Sequence, residues 1–437
     1  MNTIVFLLII LSFLLKLRNS AIVRANLRFP VLSWRNKSNA CIICRASQPE
    51  RQSTSREAME ADESLLQAIN ASSGANSKQP LVVADCRVST RAQGEQIGYY
   101  DGRTGEQYKV VCMGLASIQA TRKSHELILS LCSTRTTDKA TWFKAVDSSG
   151  WLLHIRKILH AAARIVYWNA IEHSNVLVQC DNGSDRTPQL TSLAMLILDP
   201  YYRTFDGFQV LIEQEWFLFG HKFGDRSGWT KGGWKSEERS PVFEQFLHCV
   251  YQYIFQHPQY FEFNEELLLF LTSQLYNGWF GNFLVNSDAE RKMLSERTLS
   301  IWLYVNNNRS TFLSSSYNPC QAKLSIPVAS GKSVVVWHRR FLDWYDKIWM
   351  YNWTLLEIPA INGEFKDVDE DSNSLAGTPG TRLENCYYCK KRFYIFRSRY
   401  HCKSCGSDFC GSCLGNSTCK ECRSRGLTDD TAMKETA

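Results

Sequence analysis

No stretch of the 437-residue chain carries the about 20 consecutive apolar residues that a membrane-spanning helix needs. The longest run, "TIVFLLIILSFLL" at residues 3–15, has the length of a signal-peptide core, yet no basic segment precedes it and no small-x-small cleavage site follows. Residues 1–26 therefore read as a hydrophobic leader of open status: a signal or anchor, a buried segment, or a misassigned chain start. Concentrated charge is also missing. The formal balance of +7 is spread too thinly to argue for nucleic acid, and it suits an anionic membrane surface or phosphorylated ligands. A disulfide framework is absent too: eight of the 16 cysteines are scattered at irregular spacing, which fits a reducing, cytoplasmic setting. Nor is the composition that of a disordered chain, with 13 tryptophans, 18 tyrosines and 44% hydrophobic residues. The length allows one large domain and something small beside it.

What is present first is "VLVQCDNGSDRTPQL", residues 176–190. Val176 and Val178 predict a strand end, and "TPQLTSLAMLILD" predicts a helix with Pro188 in its first turn. Between them the loop from Asp181 to Asp185 can turn backbone N–H groups toward the positive end of the helix dipole, a concave site for a tetrahedral oxyanion. Arg186 would supply a two-pronged clamp. The same field favours the thiolate of Cys180, the form that attacks phosphorus. A C-x5-R spacing alone arises by chance, and an interior cysteine is usually a small buried hydrophobe. The strand-and-helix context is what makes Cys180 the candidate nucleophile.

Along the chain, residues 27–50 predict two strands and a turn, with Cys41 and Cys44 in core packing rather than on a metal. Residues 51–79 predict a solvated excursion or a short amphipathic helix, "AMEADESLLQAI". Apolar runs at 81–88, 109–116 and 174–180 alternate with helical spacing over 119–133 and 151–173, which implies an α/β sheet. Long amphipathic stretches follow, "DGFQVLIEQEWFLFGHKFG", "PVFEQFLHCVYQYIFQH" and "FNEELLLFLTSQLYNGWFGNFL", whose aromatic stripes suit core packing. The domain so outlined covers residues 27–361, a polar acidic linker 362–382, and a tail 427–437 expected to be disordered.

Residues 383–426 hold the other eight cysteines as four C-x2-C pairs: Cys386/Cys389, Cys402/Cys405, Cys410/Cys413 and Cys419/Cys422. Two residues between thiolates let one tight turn offer both sulfurs to tetrahedral Zn²⁺, so four pairs predict two structural zinc sites. A module this small needs the metal's folding energy. Between the first pairs lies "KKRFYIFRSRYH". Some of Phe393, Tyr394, Ile395 and Phe396 would dip into a bilayer, while Arg397, Arg399, His401 and Lys403 meet phosphate head groups; one or two of the aromatics packing on the zinc core is compatible with this.

Together the two motifs resemble the myotubularin-related lipid phosphatases, in the branch that carries a C-terminal FYVE zinc finger. The similarity extends over "FPVLSWRNKSNACIICRASQP", "LDPYYRTFDGFQVLIEQEWFLFGHKFGDR", "SPVFEQFLHCVYQ" and "FEFNEELLLFL", about residues 27–355, and over 383–422. The resemblance implies a mixed sheet flanked by helices, with a small cross-braced two-zinc finger. It implies removal of the 3-phosphate from phosphatidylinositol 3-phosphate and the 3,5-bisphosphate through a phosphocysteine, with no metal in catalysis. Cys180 would be the nucleophile, Arg186 the clamp and Asp185 the acid for the leaving oxygen; Asp181, Asn182, Gly183 and Ser184 would line the phosphate. In the finger, Cys386, Cys389, Cys410 and Cys413 would hold one zinc and Cys402, Cys405, Cys419 and Cys422 the other. The implied setting is peripheral on endosomal membranes, alone or as a homo- or hetero-oligomer with related phosphatases.

The departures are specific. The family loop reads H-C-S-D-G-W-D-R-T, whereas this one sets Asp181 beside the thiol, Asn182 next to it and Ser184 where an aromatic wall stands. "RVSTRAQGEQIGYY" replaces the family's asparagine- and glycine-rich strip, and Ser117 replaces an asparagine. The finger lacks W-x-x-D before Cys386 and R-V-C before the last pair. The resemblance also begins within the family's phosphatase domain, with no counterpart to its PH-GRAM domain. A catalytically weak scaffold that binds membranes and active relatives is the alternative these departures favour, and a protein-tyrosine phosphatase would share the C-x5-R chemistry.

Overall fold

The computed structural model describes residues 14–50, 55–73, 79–88, 107–133, 139–230, 232–320 and 324–342, and four short strands beyond them. The chain divides into two units, Met1–Leu356 and Glu357–Ala437.

The first unit is built on a five-stranded sheet: β1 (Val31–Arg35), β2 (Ile42–Ser47), β3 (Leu81–Asp85), β4 (Tyr108–Cys112) and β5 (Val176–Cys180), in the order β1-β2-β5-β3-β4. β1 and β2 pair antiparallel, and β2, β5, β3 and β4 run parallel. This is the α/β sheet that the alternation of apolar runs predicted, and the mixed sheet flanked by helices that the resemblance implied. β5 lies between two parallel neighbours and is buried on both faces, which is why Val176, Leu177 and Val178 follow one another without polar alternation.

Its alternate side chains nevertheless serve two cores. Val176, Val178 and Cys180 join the large cluster, as do Val82, Ala84 and Cys86 of the β3 chain. Leu177, Leu81 and Val83 face a smaller cluster closed by Leu66 and Ile69. Those two come from the helix Arg56–Ala71, whose start is fixed by Ser55 accepting from the Ala58 N–H. On the other face lie the helices Trp151–Ala170, Arg186–Leu198 and Val242–Gln256, and Trp151, Trp216 and Trp337 are fully buried in that core. Cys41 and Cys44 are buried and reduced, as core packing predicted.

Three differences from the sequence reading matter. The stretch 206–224 is not one amphipathic helix: it runs as Phe205–Ile212, continues as a wide π turn over Glu213–Leu218, and breaks at Gly220, where φ is +69°. The wide turn carries Glu215 into the core, fully buried against Arg45. At the other end, residues 14–23, included in the leader, form a helical segment, half of its residues exposed, tied in where the buried Ser20 donates to Asp62 Oδ1 at 2.7 Å. Arg24 just after it is 1% exposed and donates to both Asp62 oxygens, at 2.9 and 2.6 Å, and to Ser47 O and Gln179 Oε1. A helix at Lys139–Ser148 had no sequence prediction. No described helix is long and apolar enough to cross a membrane.

In the second unit β6 (Arg399–His401) pairs antiparallel with β7 (Asp408–Cys410), and β8 (Leu414–Gly415) with β9 (Thr418–Cys419). The linker and tail, and Cys386, Cys389, Arg397, Cys402, Lys403, Cys405, Cys413 and Cys422, lie outside the described residues.

Candidate active site

Cys180 ends the central strand, 2% exposed, and the chain turns at once into the loop and then the helix Arg186–Leu198. Two features hold the loop against β2. Gln48 N–H donates to Cys180 O at 2.9 Å, and Arg45 donates to Gly183 O at 2.7 Å. Gly183 has φ of +67°, and a Cβ there would sit 2.9 Å from Ala46 O and 3.0 Å from Ser47 N. Only glycine allows both this backbone and this approach. Arg45 itself is neutralised by the buried Glu215, 2.9 Å away.

The far side of the loop is tied down by charge. Asp185 stands at the N-cap, but its side chain does not cap the helix. Instead Arg226 donates to both its oxygens at 2.9 Å, and His221 Nδ1 lies 3.3 Å from Oδ1 while bonding Ser184 O at 2.8 Å. Burial pushes the Asp185 carboxyl up, but the Arg226 guanidinium and the His221 hydrogen bond outweigh it and hold the group well below the carboxylate range. In this arrangement Asp185 is an ionised acceptor. Ser184 is fully buried, with its hydroxyl on Asp185 at 3.2 Å, and Asn182 accepts from the Asn26 amide at 2.8 Å.

Buried beneath the loop, Thr187 Oγ1 donates to Cys180 Sγ at 3.1 Å. Arg186 reaches back over the loop, where its guanidinium contacts the Asp181 carboxylate directly and donates to Leu115 O at 3.4 Å. Burial opposes the charge of Arg186, while the negative charges of Cys180 and Asp181 raise its pKa above the usual arginine value. Sequence reading counted Asp181 among the phosphate contacts; the structure gives its carboxylate to the arginine that would clamp phosphate.

Cys180, Arg186 and the loop are thus brought together, and residues that the spacing did not single out complete the site. Arg87 is held by both oxygens of Asp85, at 2.9 and 2.8 Å, and approaches Asp181 to 3.6 Å. A cleft of about 390 Å³ in front of Arg186 is lined by Arg87, Gly114, Ser117, His154 and Lys157. The only sequence signal for Arg87 was its place just after an apolar run; Lys157 sits on the polar side of a helix whose buried positions were legible. Ser117 accepts from the Ala120 N–H at 3.2 Å, starting the helix Ile118–Ser133. Of the strip after Arg87, residues 89–100 lie outside the described residues.

The description "Myotubularin-like phosphatase domain" matches residues 15–292. The chain is 35% identical over 337 residues to the myotubularin of Rattus norvegicus, covering 76% of this chain and 55% of that one. It is 39% identical over 316 residues to the phosphatidylinositol-3-phosphate phosphatase MTMR7 of Homo sapiens, 70% of this chain and 46% of the other. It is also 39% identical over 295 residues to the phosphatidylinositol-3,5-bisphosphate 3-phosphatase mtm-1 of Caenorhabditis elegans, with coverage of 66% and 49%. The chain therefore spans about half the length of the curated relatives it matches. With a single family description covering more than half of its residues, the loop and its strand included, this chain belongs to the myotubularin-like phosphatases.

Proposed function

We propose that the chain is a phosphoinositide 3-phosphatase, removing the 3-phosphate from phosphatidylinositol 3-phosphate and phosphatidylinositol 3,5-bisphosphate. The carrying observation is the Cys180 sulfur at the end of the central strand, hydrogen-bonded by Thr187 at 3.1 Å, with the loop after it leading straight to Arg186 at the helix start. The printed names of the relatives MTMR7 and mtm-1 support this substrate class.

Cys180 Sγ attacks phosphorus, the bond to the inositol oxygen breaks, and water then hydrolyses the phosphocysteine. Arg186 and the N–H groups of the loop neutralise the equatorial oxygens as charge builds. The leaving alkoxide needs a proton. Asp185 supplies it in the reading by resemblance, and that role requires Arg226 to release a carboxylate it now keeps ionised.

We assign two structural zinc ions to the eight cysteines of residues 386–422, in the cross-braced pairing described above. The donor set suits Zn²⁺, and the antiparallel pair β6–β7 brackets Cys402 and Cys405 in sequence and carries Cys410, so cysteines of both assigned sets fall within this one short segment. Arg399 and His401 lie on β6 of the same pair; with Arg397 and Lys403 they would meet an endosomal membrane surface. An oligomer with related phosphatases fits the same setting. A second reading, a membrane-binding scaffold with little turnover, is favoured by one observation: Asp181 already holds Arg186.

Phosphate release from phosphatidylinositol 3-phosphate vesicles, beside Cys180→Ser, decides between them. Release that disappears in the variant is expected; none from the wild-type protein, folded and carrying two zinc ions per chain by elemental analysis, would establish the scaffold. A preparation without zinc would sink the metal assignment.

A further inference from the structure

β3 and β5 are adjacent parallel strands with Asp85 opposite Gln179, so one step further along both chains Cys86 comes opposite Cys180. The pairing continues that far, because Cys86 N–H donates to Gln179 O at 2.8 Å. Side chains alternate along each strand, and both thiols fall on the face that holds Val82, Ala84, Val176 and Val178. Parallel neighbours lie about 4.8 Å apart, within the roughly 4.4–6.8 Å window of Cα separations that a disulfide spans. The Thr187 hydroxyl lies 3.1 Å from Cys180 Sγ. Both cysteines are reduced, and Cys86 is fully buried.

We propose that Cys86 is a resolving thiol: a hydroperoxide oxidises Cys180, and Cys86 closes a reversible Cys86–Cys180 disulfide that silences and protects the nucleophile. The inference rests on Cys180 as the reactive thiol of the phosphatase. The Cys180 thiolate attacks the peroxide, the O–O bond breaks, and a sulfenic acid and hydroxide result. Cys86 sulfur then attacks the sulfenic sulfur, its proton leaves with the displaced hydroxyl as water, and the S–S bond forms. In sum two thiols and one hydrogen peroxide give one disulfide and two waters.

The order of events follows from access and charge. Cys86 is fully buried, whereas Cys180, 2% exposed, opens the loop that leads to Arg186 on the wall of the cleft. Burial, and then the Cys180 charge, push the Cys86 thiol well above its ordinary value, so it waits as a neutral thiol. Oxidation of Cys180 to the sulfenic acid removes that second cause. Among the described cysteines, Cys44 and Cys112 are paired with Leu177 and Asp85, on the other face, and Cys86 alone stands in register with Cys180.

The test uses the full chain, freshly reduced and treated with hydrogen peroxide. Free thiols are then alkylated, and the protein is digested without reductant for mass spectrometry. A peptide linking Cys86 to Cys180 is expected, and dithiothreitol restores phosphate release in the wild-type protein. In Cys86→Ala that restoration is lost, because Cys180 proceeds to the sulfinic acid. Cys132→Ala, which also removes a buried thiol, retains it. Cys180 found as sulfinic acid with Cys86 alkylated, or equal restoration in wild type and Cys86→Ala, would overturn the proposal. Phosphate release before peroxide tests the phosphatase reading separately, and the linked peptide is read whether or not turnover is found.

Discussion

The contact between Arg186 and Asp181 makes a quantitative prediction about phosphate binding. An incoming phosphate needs the guanidinium fork, and in the free protein that fork is engaged by a carboxylate of the same loop. The Arg186 side chain is 11% exposed and that of Asp181 is 40% exposed, so the pair is partly screened by solvent. A fully buried pair would matter more; with this much solvent on one partner, about 1 kcal/mol is the appropriate scale. Asp181→Ser removes that competition and a like charge next to the phosphate, while Arg186 keeps the Leu115 carbonyl, 3.4 Å away, as an anchor. An energy of about 1 kcal/mol corresponds to roughly a fivefold change in an equilibrium constant.

Asp181→Ser is therefore expected to lower KM for phosphatidylinositol 3-phosphate vesicles about fivefold and to tighten inhibition by inorganic vanadate by a similar factor. Vanadate is included because it reports the clamp without the lipid surface. Asp181→Glu, which keeps the charge, should stay near wild type in both readouts. An unchanged or raised KM in a folded Asp181→Ser protein, with vanadate inhibition also unimproved, would refute the reasoning, since it would mean that Asp181 does not compete for Arg186.

Two further predictions come from packing and protonation. Gly183→Ala sets a Cβ 2.9 Å from a backbone carbonyl at a φ of +67°, a strain of about 1–3 kcal/mol that no side chain can relieve; the loop should shift, phosphate release should collapse, and a variant with full activity would show that the loop tolerates another shape. His248 is fully buried, with Nδ1 accepting from Trp151 Nε1 at 3.0 Å and Nε2 donating to Val335 O at 3.2 Å. Burial lowers its pKa to about 4, against the opposing pull of the Val335 carbonyl and Glu244. Because the folded value lies below the unfolded one, the neutral ring stabilises the fold above pH about 6.5, and roughly 3 kcal/mol is lost as pH falls toward 4. His248→Gln should flatten urea-unfolding free energies between pH 7 and 5 by about 1.4 kcal/mol per pH unit in the acidic part of that range; an unchanged slope would place the acid sensitivity elsewhere.

The parts of the site that were legible in sequence are those built by neighbours in the chain. The strand ending at Cys180, the loop, and the helix beginning at Arg186 fall within one short segment, so periodicity, a glycine and a proline were enough to position them. Long-range partners carry no such signal. Arg45 meets Glu215 across 170 positions and Arg226 meets Asp185 across 41, and nothing in the spacing of either pair announces it. Glu215 is the clearest case: it lies in an amphipathic stretch whose period predicts an ordinary helix, and only the π turn carries the acid into the core. The helix Lys139–Ser148 escaped because "KATWFKAVDS" has a weak apolar stripe, and the helix over residues 14–23 was not predicted because the run before it reads as a leader.

Charge pairing around the loop has one more consequence. Arg45, Arg87, Arg186 and Arg226 all lie within reach of the loop, yet each is bridged to an acid, Glu215, Asp85, Asp181 and Asp185 in turn, with Asp181 also 3.6 Å from Arg87 and Arg226 also reaching Glu238. Counted as whole charges these pairs cancel, so arginine number alone does not make the site attractive to phosphate. Three of the four pairs are buried on both sides and act as fixed struts, because removing either partner would strand a buried charge at a cost of about 3–5 kcal/mol. Only the Arg186–Asp181 pair has a partner substantially open to solvent, and it is therefore the one an incoming anion can exchange. The attraction then comes from the loop N–H groups at the helix start and from Lys157, exposed on the rim of the cleft. Binding in this site is an exchange of one anion for another at Arg186, beside a loop whose other neighbouring arginines are occupied in holding its shape.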